Sequence, residues 1–240
     1  MIMQIMTDVY QLSGVPLATN SNSYVIRAGG QLILIDAGFS DLQWEKMEQM
    51  LRFWGLDGLP VTHTLFTHCH FDHAGNAWRA RELGSRILAG PGDAKAMEEG
   101  DRNCIGYLFG REFRPCKVDE VLEDGQVLSF GDVRIRVLHV PGHSRGSMMY
   151  EASLHDKKIL FLGDFLAVEP AAPEDDIKVM LAWTGAPDFS RQDYLKSLEK
   201  ASGLHEDILC PGHYHLLYGP DVCKRALLMA YELGKETLPL

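Results

Sequence analysis

The 240-residue sequence lacks the features that mark secreted, membrane-spanning or repetitive proteins. Its five cysteines are an odd number without a Cys-x-x-Cys pair, which makes a poor disulfide framework and indicates a reducing compartment. No apolar run approaches the ~20 residues of a membrane helix. Residues 1–10 resemble a strand more than a signal peptide, because no basic flank precedes their apolar residues. We therefore expect a cytoplasmic globular protein with no membrane partner.

The sequence also has fewer basic residues than acidic ones. The chain has 23 Lys and Arg against 33 Asp and Glu, a formal net charge of −10. Binding to nucleic acid or to an anionic lipid surface requires a concentrated basic surface, so this balance argues against both and favours a small-molecule substrate. The hydrophobic fraction of 46% and the charged fraction of 23% are ordinary for a globular protein and exclude a disordered or coiled-coil chain.

Strand patterns and helix patterns succeed one another along the chain, and no linker separates them. Ser40 with Gln43 is a predicted cap of one helix, and Ser190 of another. The predicted strands cover residues 2–10, 23–28, 31–36, 62–67, 85–89, 127–130, 133–140, 147–152, 157–162 and 208–210, and the predicted helices cover 41–54, 74–83, 92–99, 191–200 and 221–234. We expect a single α/β domain over residues 1–240, in which helices cover two sheets.

The strongest chemical signal is the pattern His-x-His-x-Asp-His at residues 68–73, directly after a predicted apolar strand. Neutral imidazole and carboxylate are ligands that zinc and similar divalent ions prefer. His68 and His70 alternate along an extended segment, so their side chains point to the same side. Asp72 and His73 begin the next helix, from which they can reach a neighbouring point. The pattern therefore predicts ligands for two adjacent metal positions.

Three further apolar strands end in a residue that can bind a metal. His143 and His213 each close a Pro-Gly-His turn, and Asp164 follows a Leu-Gly pair. Proline and glycine set a tight bend that aims the imidazole. Because α/β enzymes place their sites where strand ends converge on one edge, we expect these residues to join those of segment 68–73.

These motifs together resemble the metallo-β-lactamase superfamily of metal-dependent hydrolases, over nearly the whole chain from the strand end at Asp36 to His213. The resemblance implies a four-layer αββα sandwich with two divalent ions in a shallow groove, zinc being the expected metal and iron or manganese the alternatives. The implied ligands are His68, His70 and His143 for one ion, and Asp72, His73 and His213 for the other, with Asp164 bridging both. Asp36 is implied to support a ligand histidine from behind.

The chemistry of such a centre is hydrolytic. Two divalent ions about 3.5–4 Å apart can hold a bridging hydroxide at neutral pH and polarise a carbonyl oxygen. Asp72 can orient that hydroxide and accept its proton, so we predict it to be the catalytic residue. The second ion stabilises the leaving group, and no nucleophilic serine or cysteine is required. We predict a dinuclear-metal hydrolase that cleaves a small ester, thioester or lactone.

Within the superfamily the sequence most resembles glyoxalase II-like and lactonase-like hydrolases, but it departs from each. Glyoxalase II enzymes carry a helical C-terminal domain that grips glutathione, whereas 27 residues follow His213 here. Quorum-quenching lactonases have a tyrosine three residues after the bridging aspartate, where this chain has Ala167. Two other classes stay open: an oxidoreductase with one iron, similar to persulfide dioxygenases, and a non-catalytic binding member of the fold.

Some residues outside the motifs are further candidates. The aromatic segment 104–114 is expected either to wall the groove or to form a homodimer contact. Arg111 and Arg114 within it either hold a substrate carboxylate or lie on a solvated surface. Trp183, in the long proline-bearing segment 165–187, is a candidate lid or pocket wall.

Overall fold

The computed structural model describes residues 3–168 and 177–238. Within them the α-helices are α1 (Asp41–Phe53), α2 (Phe71–Ala74), α3 (Ala77–Glu82), α4 (Asp93–Glu99), α5 (Arg191–Ser202) and α6 (Pro220–Thr237). The strands are β1 (Gln4–Met6), β2 (Val9–Gln11), β3 (Tyr24–Ala28), β4 (Gln31–Ile35), β5 (Val61–Leu65), β6 (Arg86–Ala89), β7 (Glu120–Val121), β8 (Val127–Phe130), β9 (Val133–His139), β10 (Met148–Leu154), β11 (Lys157–Gly163), β12 (Leu166–Val168), β13 (Val179–Leu181), β14 (Ile208–Pro211) and β15 (Leu217–Tyr218). Short 3-10 helices lie at Val15–Leu17, Arg102–Cys104 and Gly106–Phe109. Residues 169–176, within the proline-bearing segment, lie outside this description. None of the helices described combines the length and the apolar character needed to span a bilayer.

Two sheets form the centre of the described chain. One has seven strands in the order β1-β2-β3-β4-β5-β6-β7, and the other has six in the order β15-β14-β11-β10-β9-β8. Strands β12 and β13 pair as a separate antiparallel hairpin. This hairpin was not predicted, because the prolines and acidic residues of segment 165–187 indicate a loop, although residues 165–168 and 179–183 are apolar runs of strand length.

Three hydrophobic clusters fill the spaces between four layers. Strand alternation divides the side chains of β4: Leu32 packs under α1, α3 and α4, whereas Ile33 faces the other sheet. In β11, Phe161 faces the first sheet and Leu160 packs under α5 and α6. The order is therefore helices, sheet, sheet, helices, and the expected four-layer αββα sandwich is confirmed.

The carboxyl ends of the strands that carry the motifs meet at one edge of the sandwich. Strands β4, β5 and β6 run parallel, as do β11 and β14. Strand β9 has the same direction as β11 because both are antiparallel to β10. The segments after β4, β5, β9, β11 and β14 therefore leave the sheets on the same side, which is why residues far apart in sequence can form one site.

Helix α1 connects the sandwich edge to the loop before β3. Its predicted cap is present, since the Ser40 Oγ atom accepts a hydrogen bond from Gln43 N at 3.1 Å. The Gln43 side chain, however, is buried and does not return to the backbone N–H of Ser40. Its amide donates to Ser13 Oγ at 3.0 Å and to the Ser21 carbonyl at 2.9 Å. The Ser21 hydroxyl in turn donates to the Asp72 carbonyl, so α1 helps to hold the segment that carries the motif.

Two predicted elements differ from those observed. The strand expected over residues 2–10 is a hairpin of β1 and β2, because Asp8 adopts a left-handed conformation with φ 67° and reverses the chain. The helix expected over residues 74–83 begins earlier, at Phe71, and is broken before Ala77. Asn76 stands at the break, and its side chain donates to the carbonyls of Ala37 and Ser40 in the loop between β4 and α1, which anchors α3 there.

Candidate metal centre

Three histidines form a first group at the sandwich edge. His68 and His70 follow β5, and His143 lies in the turn after β9. The closest ring nitrogens of the three side chains lie within 4.8 Å of one another, and all three residues are buried. The structure therefore brings these three predicted ligands together.

Hydrogen bonds decide which nitrogen of two of these rings faces the group. The Thr67 hydroxyl donates its single proton to Asp36 Oδ2 at 2.8 Å, so it accepts from Nδ1–H of His68 at 3.0 Å. The Nδ1–H of His143 donates to the Trp183 carbonyl at 3.0 Å. In both rings the Nε2 atom consequently carries the lone pair, and it is this atom that points into the group.

A second group contains Asp72, His73, Asp164 and His213. The His213 Nε2 atom lies 3.2 Å from Asp72 Oδ2, 3.3 Å from Asp164 Oδ2 and 3.3 Å from His73 Nε2. Asp36 accepts a hydrogen bond from His73 Nδ1 at 3.0 Å. It therefore orients a histidine of the group, as the resemblance implies.

Asp164 lies between the two groups. Its Oδ2 atom is 4.0 Å from His68 Nε2 and 3.7 Å from His143 Nε2, while its Oδ1 atom is 3.0 Å from His73 Nε2. Gly212 permits this arrangement, because a Cβ atom there would lie 2.4 Å from Asp164 Oδ1. One carboxylate thus faces imidazoles of both groups, which is the position that a bridging ligand requires.

The two groups differ in their electrostatics. Burial lowers the pKa values of the three histidines of the first group, which keeps them neutral. In the second group burial also acts against the charged imidazoles, but the Asp164 and Asp72 carboxylates together outweigh it. They raise the pKa of His73 well above its usual range and that of His213 to about 10. The same contacts hold the pKa of Asp164 well below its ordinary value against the effect of burial. A cation bound at the second group must therefore displace protons from these imidazoles.

The donor atoms fit divalent cations. Among the described residues, the buried Nε2 atoms of His68, His70 and His143 have no hydrogen-bond partner. An unpaired buried polar atom costs about 1–3 kcal/mol, a cost that a cation would remove. In the second group the Nε2 atoms of His73 and His213 approach each other to 3.3 Å. Imidazole nitrogen together with carboxylate oxygen is a donor set that zinc, iron and manganese all accept.

Asp93, which no sequence pattern singled out, connects the two loops that carry the first group. Its buried carboxylate accepts hydrogen bonds from Cys69 N at 2.8 Å, Ser144 Oγ at 2.7 Å and Gly146 N at 2.7 Å. Cys69 lies between two of the histidines, and Ser144 follows the third. These contacts join residues 24 to 53 positions apart, so no local pattern could have revealed them.

Tyr194 connects two further segments next to the metal-binding residues, those of Phe165 and Ala182. Its hydroxyl donates to the Phe165 carbonyl and accepts from Ala182 N, the latter at 2.9 Å. Phe165 directly follows Asp164, and Ala182 precedes Trp183, whose carbonyl orients a histidine of the first group. The tyrosine lies on the buried face of α5, where sequence alone indicates packing.

A cavity of about 420 Å³ opens beside the two groups. Ile105, Leu108 and Phe109 contribute one side, and the β12–β13 hairpin with Trp183 contributes the other. Trp183 and part of segment 104–114 are therefore groove walls, one of the two roles considered for each.

Other candidates do not reach this cavity. Arg111 lines a different groove, and Arg114 lies over the ring of Trp78, 4.0 Å from its centre, beside Glu82. Trp78 is half-buried beneath this arginine. His215, two residues after His213, is exposed and is not part of the cavity wall. The arrangement thus gives no support to a substrate carboxylate held by the two arginines.

Comparison with known sequences identifies relatives along most of the chain. The family model of the metallo-beta-lactamase superfamily matches residues 17–213. The acyl-coenzyme A thioesterase MBLAC2 of Gallus gallus is 30% identical over 225 residues, which cover 82% of this chain and 73% of that protein. A hydroxyacylglutathione hydrolase-like protein of Mus musculus is 35% identical over 125 residues, covering 50% of this chain and 37% of the relative.

Solved structures share the fold. A metallo-beta-lactamase from Cronobacter sakazakii superposes with a TM-score of 0.76 at 19% identity and covers 98% of this chain and 96% of its own. A metallo-beta-lactamase family protein from Thermus thermophilus gives a TM-score of 0.74 at 20% identity, with 97% and 81% covered. At these identities the likeness concerns the fold and carries no substrate.

Proposed function

Because the chain belongs to the metallo-beta-lactamase superfamily and is a metal-dependent hydrolase, we propose that it uses two divalent ions, zinc in the first instance, to cleave a small thioester. The observation that carries this proposal is the Asp164 carboxylate, which faces Nε2 atoms of both histidine groups. A single-ion centre would leave the other group of donor atoms without a cation.

The proposed ligands are His68, His70 and His143 for one ion, and Asp72, His73 and His213 for the other, with Asp164 shared. When bound, such ions lower the pKa of water towards neutrality and polarise a carbonyl oxygen. The chain itself orients the ligands through Thr67, Asp36 and the Trp183 carbonyl, as described above.

Asp72 is the proposed proton acceptor. Its carboxylate borders the cavity, and its Oδ2 atom lies 3.2 Å from His213 Nε2. Burial opposes ionisation, but His73 and His213 outweigh it and lower the pKa of Asp72. The group is therefore ionised at neutral pH and able to take a proton from the attacking water.

A thioester is preferred among the three substrate classes for chemical reasons. A thiol with a pKa of about 8.5 departs as an anion and needs no additional acid, unlike an alcohol. Ala167 borders the cavity at the position where the lactonases have a tyrosine, so that hydroxyl is missing. The acyl-coenzyme A thioesterase relative supports the same class.

The first test counts metals in protein purified without added metal. Elemental analysis is expected to find about two zinc ions per chain, and zinc with iron or manganese would also agree. One tightly held iron would contradict the proposal and favour the oxidoreductase alternative.

The second test follows thiol release from a thioester. Asp72→Asn is expected to lower kcat by roughly 100-fold or more, because the proton acceptor is lost. The exposed Asp57→Asn variant serves as the matched control and should keep full activity. The parent protein and both variants must give the same circular dichroism spectrum. Near-full turnover by the Asp72 variant would refute the assigned role.

A further inference from the structure

The cavity beside the metal centre is apolar along its length. Leu166, Met180 and Leu181 of the β12–β13 hairpin line it on one side, and Leu108 faces them from segment 104–114. Trp183 completes the wall. At about 420 Å³ the cavity has the size of a site for a small molecule.

Charge is confined to one end of this cavity. Among the described residues that line it, every residue with an imidazole or a carboxylate belongs to the two proposed metal groups. Arg111 and Arg114, which follow the wall residues Ile105, Leu108 and Phe109 in sequence, face elsewhere. An ionised group at the far end of a bound substrate would lose its hydration without gaining a partner.

We propose that this cavity receives the acyl portion of the substrate, and that the acyl group is an apolar, uncharged chain. The proposal rests on the proposed thioester hydrolysis. The thioester carbonyl lies at the end with Asp72 and Asp164, beside Trp183, and the acyl chain runs between the hairpin and Leu108. The thiol portion remains outside. An acyl group with a second carboxylate is rejected, because that carboxylate would find no partner at the apolar end of the cavity.

A binding experiment tests the cavity independently of turnover. Ketone analogues of N-acetylcysteamine thioesters, in which a CH2 group replaces the sulfur, carry acyl chains of two to ten carbons and cannot be hydrolysed. Calorimetry on the enzyme as purified is expected to show affinity rising about fourfold per methylene until the cavity is full. An affinity that does not change with chain length would overturn the proposal, whether or not any thioester is cleaved.

A kinetic experiment tests the exclusion of charge. The hexanoyl thioester and its adipoyl counterpart have six acyl carbons each and differ by a terminal carboxylate. We expect kcat/KM to be on the order of 100-fold higher for the hexanoyl substrate. Equal values would overturn the proposal while leaving thioester hydrolysis in place. Cleavage of no thioester would instead refute the proposed function.

Leu108→Arg should weaken this preference. Leu108 is 53% exposed, so an arginine fits without disturbing the core and places a cation at the cavity rim. We expect the hexanoyl-to-adipoyl ratio to fall at least about tenfold. Leu83→Arg is the matched control, because Leu83 is 56% exposed and is not part of the cavity wall. An unchanged ratio in the Leu108 variant, or the same fall in the control, would contradict the assignment.

Discussion

Replacing Asp93 by asparagine tests whether one buried carboxylate holds together the loops of the first histidine group. The Asp93 oxygens accept hydrogen bonds from Cys69 N, Ser144 Oγ and Gly146 N, at 2.7 to 2.8 Å. An amide offers only one oxygen, so at least one backbone N–H loses its acceptor and meets an NH2 group. Leaving one buried donor unsatisfied costs about 1–3 kcal/mol. Asp93→Ala leaves both backbone donors unsatisfied, while Ser144 Oγ keeps Ser147 Oγ as a partner at 2.7 Å, and should cost correspondingly more.

The loss should appear at the metal centre as well as in global stability. Without Asp93 to join them, the two histidine loops loosen, and the imidazole nitrogens that face a cation lose their fixed positions. Supporting contacts of this kind typically contribute 10–100-fold to metal affinity. Competition with a chelator measures that affinity, and urea denaturation measures the free energy of unfolding. Asp101→Asn is the matched control, since Asp101 also accepts a backbone hydrogen bond, from Asn103 N at 2.8 Å, but not from a histidine loop. Metal affinity and unfolding midpoint both unchanged in Asp93→Asn would refute the reasoning.

Two further perturbations test other buried groups. Tyr194→Phe removes the acceptor of the buried Ala182 N–H and the donor to the Phe165 carbonyl. It should lower the free energy of unfolding by about 1–3 kcal/mol and also lower kcat. If urea denaturation and thioester turnover both give the values of the parent protein, the assigned role is wrong. Burial and the neighbouring Glu151 raise the pKa of Glu206 to about 8. The folded state therefore binds more protons than the unfolded state between about pH 4 and pH 8, so the free energy of unfolding falls as pH rises across that window. Glu206→Gln should flatten this fall in urea denaturation series at pH 5 and pH 8.5, and parallel pH profiles of variant and parent would show that Glu206 does not cause it.

The metal-binding candidates were accessible from sequence because each one ends an apolar strand. Segment 68–73 and the residues His143, Asp164 and His213 needed only the rule that strand ends meet at one edge. The fold class followed from the resemblance carried by the same residues. Their meeting within 4.8 Å in two groups agrees with the expected ligand sets, while metal binding itself stays a prediction. One domain over residues 1–240, a homodimer and the cellular compartment also stay predictions.

The supporting contacts were not accessible because they are long-range. Asp93 and Tyr194 hold the histidine loops and the hairpin through hydrogen bonds to residues distant in sequence, and Thr67 is fixed by Asp36, 31 positions away. None of the three belongs to a spaced motif. Of the two roles considered for Arg111 and Arg114, binding of a substrate carboxylate finds no support, for a related reason. Sequence places them beside the cavity wall but does not determine the direction of their side chains, which the surrounding packing sets.

Trp183 contacts the two parts of the site through different atoms. Its carbonyl oxygen orients His143, whereas its ring borders the cavity. Every amino acid carries that carbonyl, so the side chain at position 183 can change without removing the support of the imidazole. Substrate preference and ligand orientation are thus separable in evolution at a single residue. A lineage could exchange one acyl group for another at this position while the hydrolytic machinery stayed intact.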